Sequence, residues 1–431
     1  MDKFTGLQYL MIDIANHAPL GLGKQTYQTR ISWVEEQVSK GNKRGDMLKD
    51  LYEIAKDSEW KDKPLFVKAL LALEDFCEDR ESGHLVGFDA SSSGVQLMSA
   101  MTGCESGCRA TGLIDQDRRA NFYAEVGERQ SEILGYPLKT AEKEAKSAGM
   151  TVFYGSTAEP KKVYGKGTPE LSAFYEAIHQ IAPKAMWMLG GLLSSWQPFA
   201  KQHSWTMPDG TNVQVKNMVS TTANVKIDEL NGTGFKYCWY ENEGEERGKK
   251  NAANVVHATD AYLLRSLVRR CGYNLEEVIN AYKHLSQEHT KRYKENRPDA
   301  SVGKGFFKFD HYLKQYERSL VIDTCILKYI NRSTVSLLEK DHIIGLMTAC
   351  VDMLSHNPFE IVTVHDDFKC HPNNMNYLRH HYNSIMAAIC DSDLCTDLLH
   401  QVSKVEKPEG GQDRRYTELS NQIKEANYGI N

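Results

Sequence analysis

The sequence predicts an α+β fold in which helices dominate and a few short strands place acidic side chains. In the first 80 residues, apolar side chains recur at three- and four-residue spacing, which is typical of amphipathic helices. Two short apolar segments, HLVGFD and VTVHDDF, end in aspartate, as expected of strands that lead into turns. Residues 203–242 alternate polar and apolar side chains around Pro-Asp-Gly, which predicts β-hairpins.

Length and composition indicate a globular protein with two or three subdomains. The chain has 431 residues, of which 41% are hydrophobic, enough for a sizeable core. A net charge of −5 argues against coating nucleic acid through overall charge, although a local groove can still be basic. Ten cysteines without a CxxC pair indicate a reducing compartment and disfavour zinc. No signal peptide or membrane span is predicted.

The predicted elements follow one another in a regular order. Helices are predicted at 7–18, 28–38, 45–57 and 64–79, and a strand follows at Leu85–Phe88. Helices are then predicted at Val95–Met101, Asp117–Leu134 and Leu138–Phe153. After the β-rich stretch come a helix at 253–271, a helix-rich stretch at 275–340, a helix at 342–354 and a strand at 359–365.

Two aspartates carry the strongest chemical signal. Asp89 and Asp366 stand at the ends of predicted strands from distant segments, and strand ends hold carboxylates rigidly. Two such carboxylates can bind a pair of Mg²⁺ ions about 4 Å apart for in-line phosphoryl displacement. Asp366 and Asp367 are adjacent, so their charges repel and favour a cation. A hairpin turn with local Asp hydrogen bonds explains that segment equally well.

The segment after Asp89 is a small-residue turn, SSSG, in which Gly94 leaves the space above the site free of a side chain. An ordinary helix N-terminus capped by serine is the alternative. It explains the serines but not the acid at the strand end.

A lysine-bearing helix lies between the two aspartates in the sequence. Lys139, Lys143, Lys146, Met150 and Tyr154 recur at spacings of four, three, four and four, which predicts one helix face. Such a face can hold a triphosphate and present the Tyr154 hydroxyl to a sugar. A solvated lysine face is the commoner explanation of this pattern in isolation.

A later helix carries His257 and Asp260, three residues apart. A buried core histidine with its carboxylate partner explains this pair without a functional role. The two strand-end aspartates, with the lysine helix between them, match the ground plan of a polymerase active site.

Four blocks in this order resemble motifs of the single-subunit phage and mitochondrial RNA polymerase family: DASSSGVQLMSAM, KSAGMTVFYGS, VVHATDAYLL and VTVHDDF. WTMPDGTNVQV resembles the start of the hairpin region with which family members read promoters. The ending IKEANYGIN resembles the family's terminus, which tucks near the site. The resemblance implies a right-hand polymerase fold with an antiparallel-sheet palm and mostly helical fingers.

The resemblance implies a metal and triphosphate site built from five residues. Asp89 and Asp366 would bind two Mg²⁺ ions, with the Ala90 carbonyl as a further ligand. Lys146 would contact the incoming triphosphate. Lys24 falls where the family places another triphosphate-contacting lysine.

The resemblance also implies residues for the sugar, the template and the primer. Tyr154 with His257 would recognise the ribose 2′-hydroxyl. Gly155 would give the template base room, and His365 would lie beside the primer end.

Departures from the family pattern accompany this resemblance. Glu142 stands where the family has an arginine one helical turn before Lys146, so Lys143 or Lys139 would have to supply that charge. Asp367 stands where a small polar residue is usual. Residues 275–340 have no clear counterpart and are interpreted as a helical insertion.

The resemblance divides the chain into expected regions. Residues 1–115 would form a helical part and the first half of the palm, 116–256 the fingers with a β-insertion at about 203–247, 257–274 a palm helix, 275–340 the insertion, and 341–431 the second half of the palm with a C-terminal foot. Thumb and N-terminal domain would be lacking. The chain would thus resemble the larger subunit of the two-polypeptide RNA polymerase of N-four-like phages.

This interpretation implies DNA template, RNA product, ribonucleoside triphosphates and a second subunit as partners, no membrane contact, and action in the host cytoplasm. Two alternatives remain. A family A DNA polymerase has similar acidic and lysine motifs, but carries a glutamate where Gly94 stands, which blocks a 2′-hydroxyl. A non-catalytic polymerase-like subunit would bind DNA or a partner, but would have no need of both aspartates, the lysine and the tyrosine.

Overall fold

Helices form most of the chain, and the computed structural model describes residues 1–39, 48–57, 59–114, 119–295, 307–405 and 416–431. The helices are α1 (Gly6–His17), α2 (Tyr27–Ser39), α3 (Lys49–Asp57), α4 (Lys63–Cys77), α5 (Ser93–Thr102), α6 (Glu105–Ala110), α7 (Phe122–Leu134), α8 (Ala141–Gly149), α9 (Ala158–Tyr164), α10 (Pro169–Ile181), α11 (Pro183–Ser194), α12 (Lys250–Cys271), α13 (Leu275–Glu295), α14 (Phe307–Ser319), α15 (Lys340–Leu354), α16 (Met375–Cys390), α17 (Leu394–Ser403) and α18 (Thr417–Lys424). The strands are β1 (Val86–Asp89), β2 (Gln202–Thr206), β3 (Asn212–Lys216), β4 (Met218–Ile227), β5 (Thr233–Asn242), β6 (Val362–Val364) and β7 (Asp367–Cys370). This mixture confirms the predicted α+β class.

A three-stranded antiparallel sheet, in the order β1-β7-β6, joins the two distant acidic segments. Phe88 pairs with Phe368, and Asp89 pairs with Asp367. Directly opposed residues share a face of an antiparallel sheet, and successive residues alternate between faces. Both phenylalanines are buried in the core. The two aspartates therefore point to the opposite face.

The turn between β6 and β7 determines where Asp366 lies. Val364 pairs with Asp367, so only His365 and Asp366 lie between the strands. His365 has φ +56°, a left-handed conformation that a non-glycine residue adopts mainly in tight turns. The Asp366 carbonyl accepts a 3.2 Å hydrogen bond from the Ala90 amide. This bond joins the backbones of the two acidic segments.

The C-terminal tail extends the sheet along the free edge of β1. Ile430 forms an antiparallel bridge with Ala90, and the Asn431 amide donates to the Asp89 carbonyl at 3.0 Å. The Tyr27 hydroxyl donates to the Ile430 carbonyl at 2.9 Å, and the Gln96 amide donates to the Gly429 carbonyl at 2.9 Å. The tail therefore packs beside the acidic residues, as its sequence indicated.

The β-rich stretch forms two separate hairpins, β2–β3 and β4–β5. The second is a ribbon with ten paired positions, from Met218 opposite Asn242 to Ile227 opposite Thr233. Large apolar and aromatic side chains on it are exposed, among them Phe235, Tyr237 and Tyr240. A two-stranded ribbon of this kind does not bury a core of its own.

The helical stretch after α12 has a second hydrophobic core. Its buried residues include Leu285 of α13, Leu313 of α14, and Leu346 and Met353 of α15. The helix α15, assigned by sequence to the region after the insertion, thus packs with the insertion. Every helix among the described residues is too short or too polar to cross a bilayer.

The lysine-bearing helix is shorter than the sequence suggested. Helix α8 ends at Gly149, Lys139 precedes it, and Tyr154 belongs to a separate 3₁₀ turn at Val152–Tyr154. Thr151 and Val152 are β-branched and disfavour a helix. The predicted single face from Lys139 to Tyr154 is therefore wrong, although Lys146 and Tyr154 still face the same cavity.

Deleting residues 428–431 should lower the stability of the protein and abolish its catalytic activity. The deletion removes the bridge to Ala90 and leaves the buried Gln96 amide and Tyr27 hydroxyl each short of an acceptor. We expect a loss of about 1–3 kcal/mol in the free energy of unfolding, measured by urea denaturation. Tyr27→Phe, which removes one of these bonds, should cost about 1 kcal/mol. An unchanged midpoint of urea denaturation, together with full catalytic activity, would show that the pairing of the tail with β1 is not needed.

Candidate active site

Two adjacent cavities lie over the exposed face of β1 and the β6–β7 turn. The larger, here called the acidic cleft, has a volume of about 430 Å³ and is lined by Asp89, Asp366, Asp260, Lys146, Tyr154, His257 and His365, among others. The smaller, here called the basic recess, has a volume of about 240 Å³ and is lined by Lys24, Arg119, Asn121, Glu142 and Lys146, among others. Asp89, Ala90 and Lys146 line both cavities, so the two adjoin at these residues.

The acidic cleft gathers most of the residues that the sequence singled out. Asp89, Ala90, Asp366, Lys146, Tyr154, His257 and His365 all line it, and Lys24 lines the recess. Neither Lys143 nor Lys139 lines either cavity, and both are exposed. The expectation that one of these two lysines replaces the missing arginine is therefore not met by their placement.

Gly155 lies outside both cavities and is required by its backbone. It has φ +82°, and a Cβ there would lie 3.1 Å from the Leu193 side chain. Glycine adopts this conformation without steric cost. The expected role of Gly155 beside a template base stays a prediction.

Negative charge is concentrated around Asp89. Partial burial by the cleft walls, followed by repulsion from Asp366 and Asp367, raises the pKa of Asp89 to about 6. Asp367 itself is engaged, because Lys369 Nζ lies 3.0 Å from its carboxylate. Asp366 lines the cleft, whereas Asp367 does not. Of the two adjacent aspartates, Asp366 therefore lies in the cleft, whereas Asp367 pairs with a lysine of its own strand.

The carboxylates of the cleft suit Mg²⁺, which also takes water and phosphate oxygens as ligands, better than a metal ion that takes all of its ligands from the protein. Among the described residues, no group of three or more His, Cys, Asp and Glu side chains is arranged to hold a metal ion. Mg²⁺ in phosphoryl-transfer enzymes usually takes one or two carboxylates and completes its octahedron with water and substrate phosphates. Asp89 and Asp366 supply that kind of incomplete carboxylate set. The repulsion that raises the Asp89 pKa is relieved when a cation binds.

Gly94, Tyr154 and His257 line the acidic cleft but not the basic recess. A Cβ on Gly94 would lie 3.2 Å from the Tyr154 hydroxyl oxygen, so this hydroxyl sits directly over the glycine. The rings of Tyr154 and His257 lie 4.8 Å apart between centroids, tilted by 32°. Burial raises the Tyr154 pKa, so the hydroxyl stays protonated and can donate a hydrogen bond at neutral pH.

Asp260 and Arg119 are site residues whose importance the sequence did not reveal. Burial, followed by repulsion from Asp366, raises the pKa of Asp260 to about 6. The sequence offered Asp260 only as the partner of His257. Arg119 lies in a stretch predicted as helix, but α7 begins at Phe122. A basic pair at Arg118 and Arg119 was the only available signal, and it resembles any solvated charge cluster.

Comparison with known proteins agrees with this geometry. Residues 3–157 match the model of a family described as DNA-dependent RNA polymerase. This matched segment indicates a DNA-directed RNA polymerase, which is a nucleotidyltransferase by enzyme class. No curated protein sequence matches the chain significantly. His257, His365 and Asp366 lie beyond the matched residues, and only the fold brings them into the cleft with Asp89 and Lys146.

Asp89→Asn should stabilise the protein when metal is absent. The folded-state pKa of about 6 exceeds the ordinary value of 3.8, so the folded state binds the proton more tightly than the unfolded state. The stability contributed by this group is present below about pH 4 and is lost as pH rises to about 6. At pH 7.5 the variant should gain about 1 kcal/mol in the free energy of unfolding, after allowance for solvent screening.

Urea denaturation in EDTA at pH 4 and pH 7.5 measures this difference. The gain should vanish at pH 4. Asp228→Asn, in the exposed loop of the β4–β5 hairpin, is the matched control and should change neither value. A variant no more stable than the wild type at pH 7.5 would show that Asp89 is not under repulsion.

Proposed function

We propose that this chain is the catalytic subunit of a DNA-directed RNA polymerase that adds ribonucleotides to an RNA 3′ end by two-metal nucleotidyl transfer. One observation carries the proposal. Two strand-end carboxylates, a helix-borne lysine and a tyrosine–histidine pair, from segments far apart in the chain, all line one cleft. Phosphoryl transfer needs this set because its catalysis is mainly positioning and charge neutralisation.

Each part of the cleft has a task in this reaction. Asp89 and Asp366 would hold the two metal ions, with the Ala90 carbonyl as a further ligand. When bound, Mg²⁺ supplies charge neutralisation for the attacking 3′-hydroxyl and the leaving pyrophosphate. Lys146, at the junction of cleft and recess, would bind the triphosphate. His365, exposed in the turn beside Asp366, would lie next to the primer end.

The arrangement of Gly94, Tyr154 and His257 favours ribonucleotides over deoxyribonucleotides. Any side chain at position 94 would meet the Tyr154 hydroxyl at about van der Waals contact or closer. A glutamate there, as in family A DNA polymerases, would displace Tyr154 and fill the space for a 2′-hydroxyl. With glycine, the Tyr154 hydroxyl and His257 remain available to hydrogen-bond that group, and a site built to bond a hydroxyl discriminates against its absence.

The electrostatics of the cleft also speak against a purely structural subunit. Two carboxyl groups, on Asp89 and Asp260, have pKa values raised to about 6. Burial of these carboxyl groups, together with repulsion from Asp366, is unfavourable for folding and is typical of functional sites. A scaffold that only binds a partner gains nothing from it.

Template handling is proposed from the exposed parts of the fold. The β4–β5 ribbon, with exposed Phe235, Tyr237 and Tyr240, would contact promoter DNA.

Leu65 and Phe76 are exposed on α4, at 42% and 53%. They lie eleven residues apart, about three helical turns, and so share a face. We propose that a second polymerase subunit, as in the two-polypeptide enzyme of N-four-like phages, covers this face.

Asp89→Asn and Asp366→Asn should each reduce ribonucleotide addition by at least about 10³-fold, roughly 4 kcal/mol of transition-state stabilisation, because each removes a metal-binding charge. Asp367→Asn should cost less than about tenfold, since Lys369 already neutralises Asp367. Primer extension on a DNA template with Mg²⁺ measures all three variants. Near-normal addition by Asp89→Asn or Asp366→Asn would refute the catalytic assignment, and equal losses at 366 and 367 would refute the division of roles.

Tyr154→Phe should relax sugar selection while preserving the rate with ribonucleotides. The change keeps the ring beside His257 but removes the hydroxyl above Gly94. Loss of one such hydrogen-bonding group should reduce discrimination against deoxynucleotides by about 1–3 kcal/mol, or roughly 10- to 100-fold. Competition between ribo- and deoxynucleotides measures it. Tyr136→Phe, on an exposed tyrosine paired with Glu170, is the control and should change nothing.

Phe76→Glu should separate this chain from its second subunit without unfolding it. An exposed position tolerates a charge in the free chain, whereas a charge buried in an apolar interface is costly. Sedimentation of the co-expressed pair, with thermal melting of the variant alone, measures both effects. A monomer that transcribes single-stranded DNA processively by itself would contradict the need for a partner.

A further inference from the structure

The basic recess holds fewer free cations than its residue types suggest. Lys24 Nζ lies 2.7 Å from Glu142 Oε1, and the Asn121 amide donates to the same oxygen at 3.0 Å. Lys24 and Asn121 lower the pKa of Glu142, so this acid stays ionised. Lys24 is therefore engaged by Glu142. On α8 itself, an acid stands one helical turn before Lys146.

A nucleoside triphosphate bound across the two cavities would bring about four negative charges at neutral pH. Asp89 and Asp366 need cations of their own, which substrate-bound Mg²⁺ supplies. Lys146 is one positive charge at the junction of the cavities. The phosphates most remote from the sugar would lie toward the recess, since Tyr154 and His257 line the acidic cleft but not the recess. Charge balance there requires another cation.

Arg119 is the residue in the recess that meets this requirement. Its Nη1 donates to the Gly23 carbonyl, which fixes the guanidinium at the recess wall. Its Nε is buried and has no hydrogen-bond partner within the described part of the chain. Burial lowers the pKa of Arg119, while the nearby charge of Asp89 opposes this shift. A desolvated guanidinium with a free donor is a ready site for a phosphate oxygen.

We propose that Arg119 is a triphosphate-binding residue, which acts with Lys146 on the phosphates of the incoming nucleotide, while Lys24 acts only by holding Glu142. This inference rests on the proposed function and specifies its substrate site. Arginine suits the role because its fork of N–H donors lets one nitrogen bind the protein backbone while others bind phosphate. Glu142, held by Lys24 and Asn121, is kept from competing with phosphate for Arg119.

Arg119→Gln tests the assignment, since glutamine keeps an N–H donor for the Gly23 carbonyl but lacks the charge. In single-nucleotide addition by the complete polymerase, KM for ATP should rise about 10- to 100-fold, with kcat changed less than about threefold. Arg119→Lys should recover part of the loss. Arg129→Gln is the matched control, because Arg129 is paired with Glu132 on α7 and lines neither cavity.

A second variant tests whether Glu142 prevents Lys24 from binding phosphate. Adding Glu142→Gln to Arg119→Gln releases Lys24 into the recess, so KM for ATP should fall back by about fivefold or more relative to the single variant. If the KM of the double variant for ATP is no lower than that of Arg119→Gln, Glu142 does not prevent Lys24 from binding phosphate.

Calorimetric binding to a 3′-deoxy-terminated primer–template complex separates a phosphate contact from a structural role. Arg119→Gln should weaken Mg-ATP binding about tenfold or more and leave Mg-AMP binding and primer–template binding unchanged. Equal weakening of ATP and AMP, or weaker primer–template binding, would overturn the proposal in favour of a structural role. So would a KM within twofold of the wild type. Absence of ribonucleotide addition by both wild type and Arg129→Gln would instead contradict the proposed function, and the Mg-ATP against Mg-AMP comparison would still decide the role of Arg119.

Discussion

The pairing of β1 between β7 and the C-terminal tail is the constraint on which the site depends. In this register Phe88 and Phe368 enter the core together, and Asp89 faces the cleft. A slip of one residue would exchange the two faces, placing a carboxylate in the core and a phenylalanine in the cleft. The cost of burying an unpaired carboxylate makes such a slip unfavourable. The hydrophobic pattern of four residues therefore fixes the position of the acid.

Buried polar contacts hold this sheet against its surroundings. Gln96 is fully buried in α5, donates to the carbonyls of Thr111 and Gly429, and accepts from the Tyr382 hydroxyl at 2.5 Å. Its amide thus joins α5, α16 and the tail, and each of its bonds is satisfied internally. Satisfied buried networks of this kind favour one arrangement of the core, since any shift leaves a polar group without a partner. The positions of Asp89 and the tail are consequently linked.

The charges in the cleft destabilise the folded chain, and packing in the core beneath the cleft offsets this cost. Raised pKa values at Asp89 and Asp260 show that their charges are poorly neutralised in the chain alone. On the opposite side of β1, Phe88 stacks with Tyr27 at 5.6 Å, and Tyr27 stacks with Tyr428 at 4.8 Å. Aromatic packing of this kind contributes beyond area burial. Strain at the site thus coexists with a rigid support, as is usual for sites that bind charged ligands.

The sequence predicted those parts of the structure that depend on local pattern. The helices before β1, the acidic strand ends, the hairpins and the long helix α12 all follow from periodicity and turn residues. Lys146 was also identified, although the helix face that led to it is interrupted at Gly149. Lys139 precedes α8, and Lys143 lies on α8 with Lys146 but lines neither cavity, because helical spacing alone does not determine which side of the helix faces the cleft.

Residues brought to the site by tertiary packing alone were not predictable. The position of Arg119 in the recess depends on the Gly23 carbonyl, to which it donates, and Glu142 lines the same recess. Both residues belong to other segments. By contrast, Asp367 and Lys369 stand two residues apart on β7, and their pairing follows the period of a strand. No local pattern encodes the contact of Arg119 with Gly23, because it joins segments far apart in the chain.

Helix α12 connects the cleft to the β2–β3 hairpin and to the second hydrophobic core. His257 and Asp260 lie in its first half and line the cleft. In its second half, Arg265 Nε lies 2.7 Å from Asp209, in the loop of the β2–β3 hairpin, and Arg269 pairs with Asp323 at 2.9 Å, near the second core. Asp209 and Asp323 are both buried, and breaking a buried ion pair leaves an uncompensated charge.

Since a helix transmits displacement along its axis with little bending, these pairs fix α12 relative to both the hairpin and the insertion. The orientation of His257 over Tyr154 therefore depends on contacts made about two to three helical turns away. The described residues of the insertion form their own core and do not line the cleft. They have a physical role all the same, because they hold the far end of the helix that carries His257.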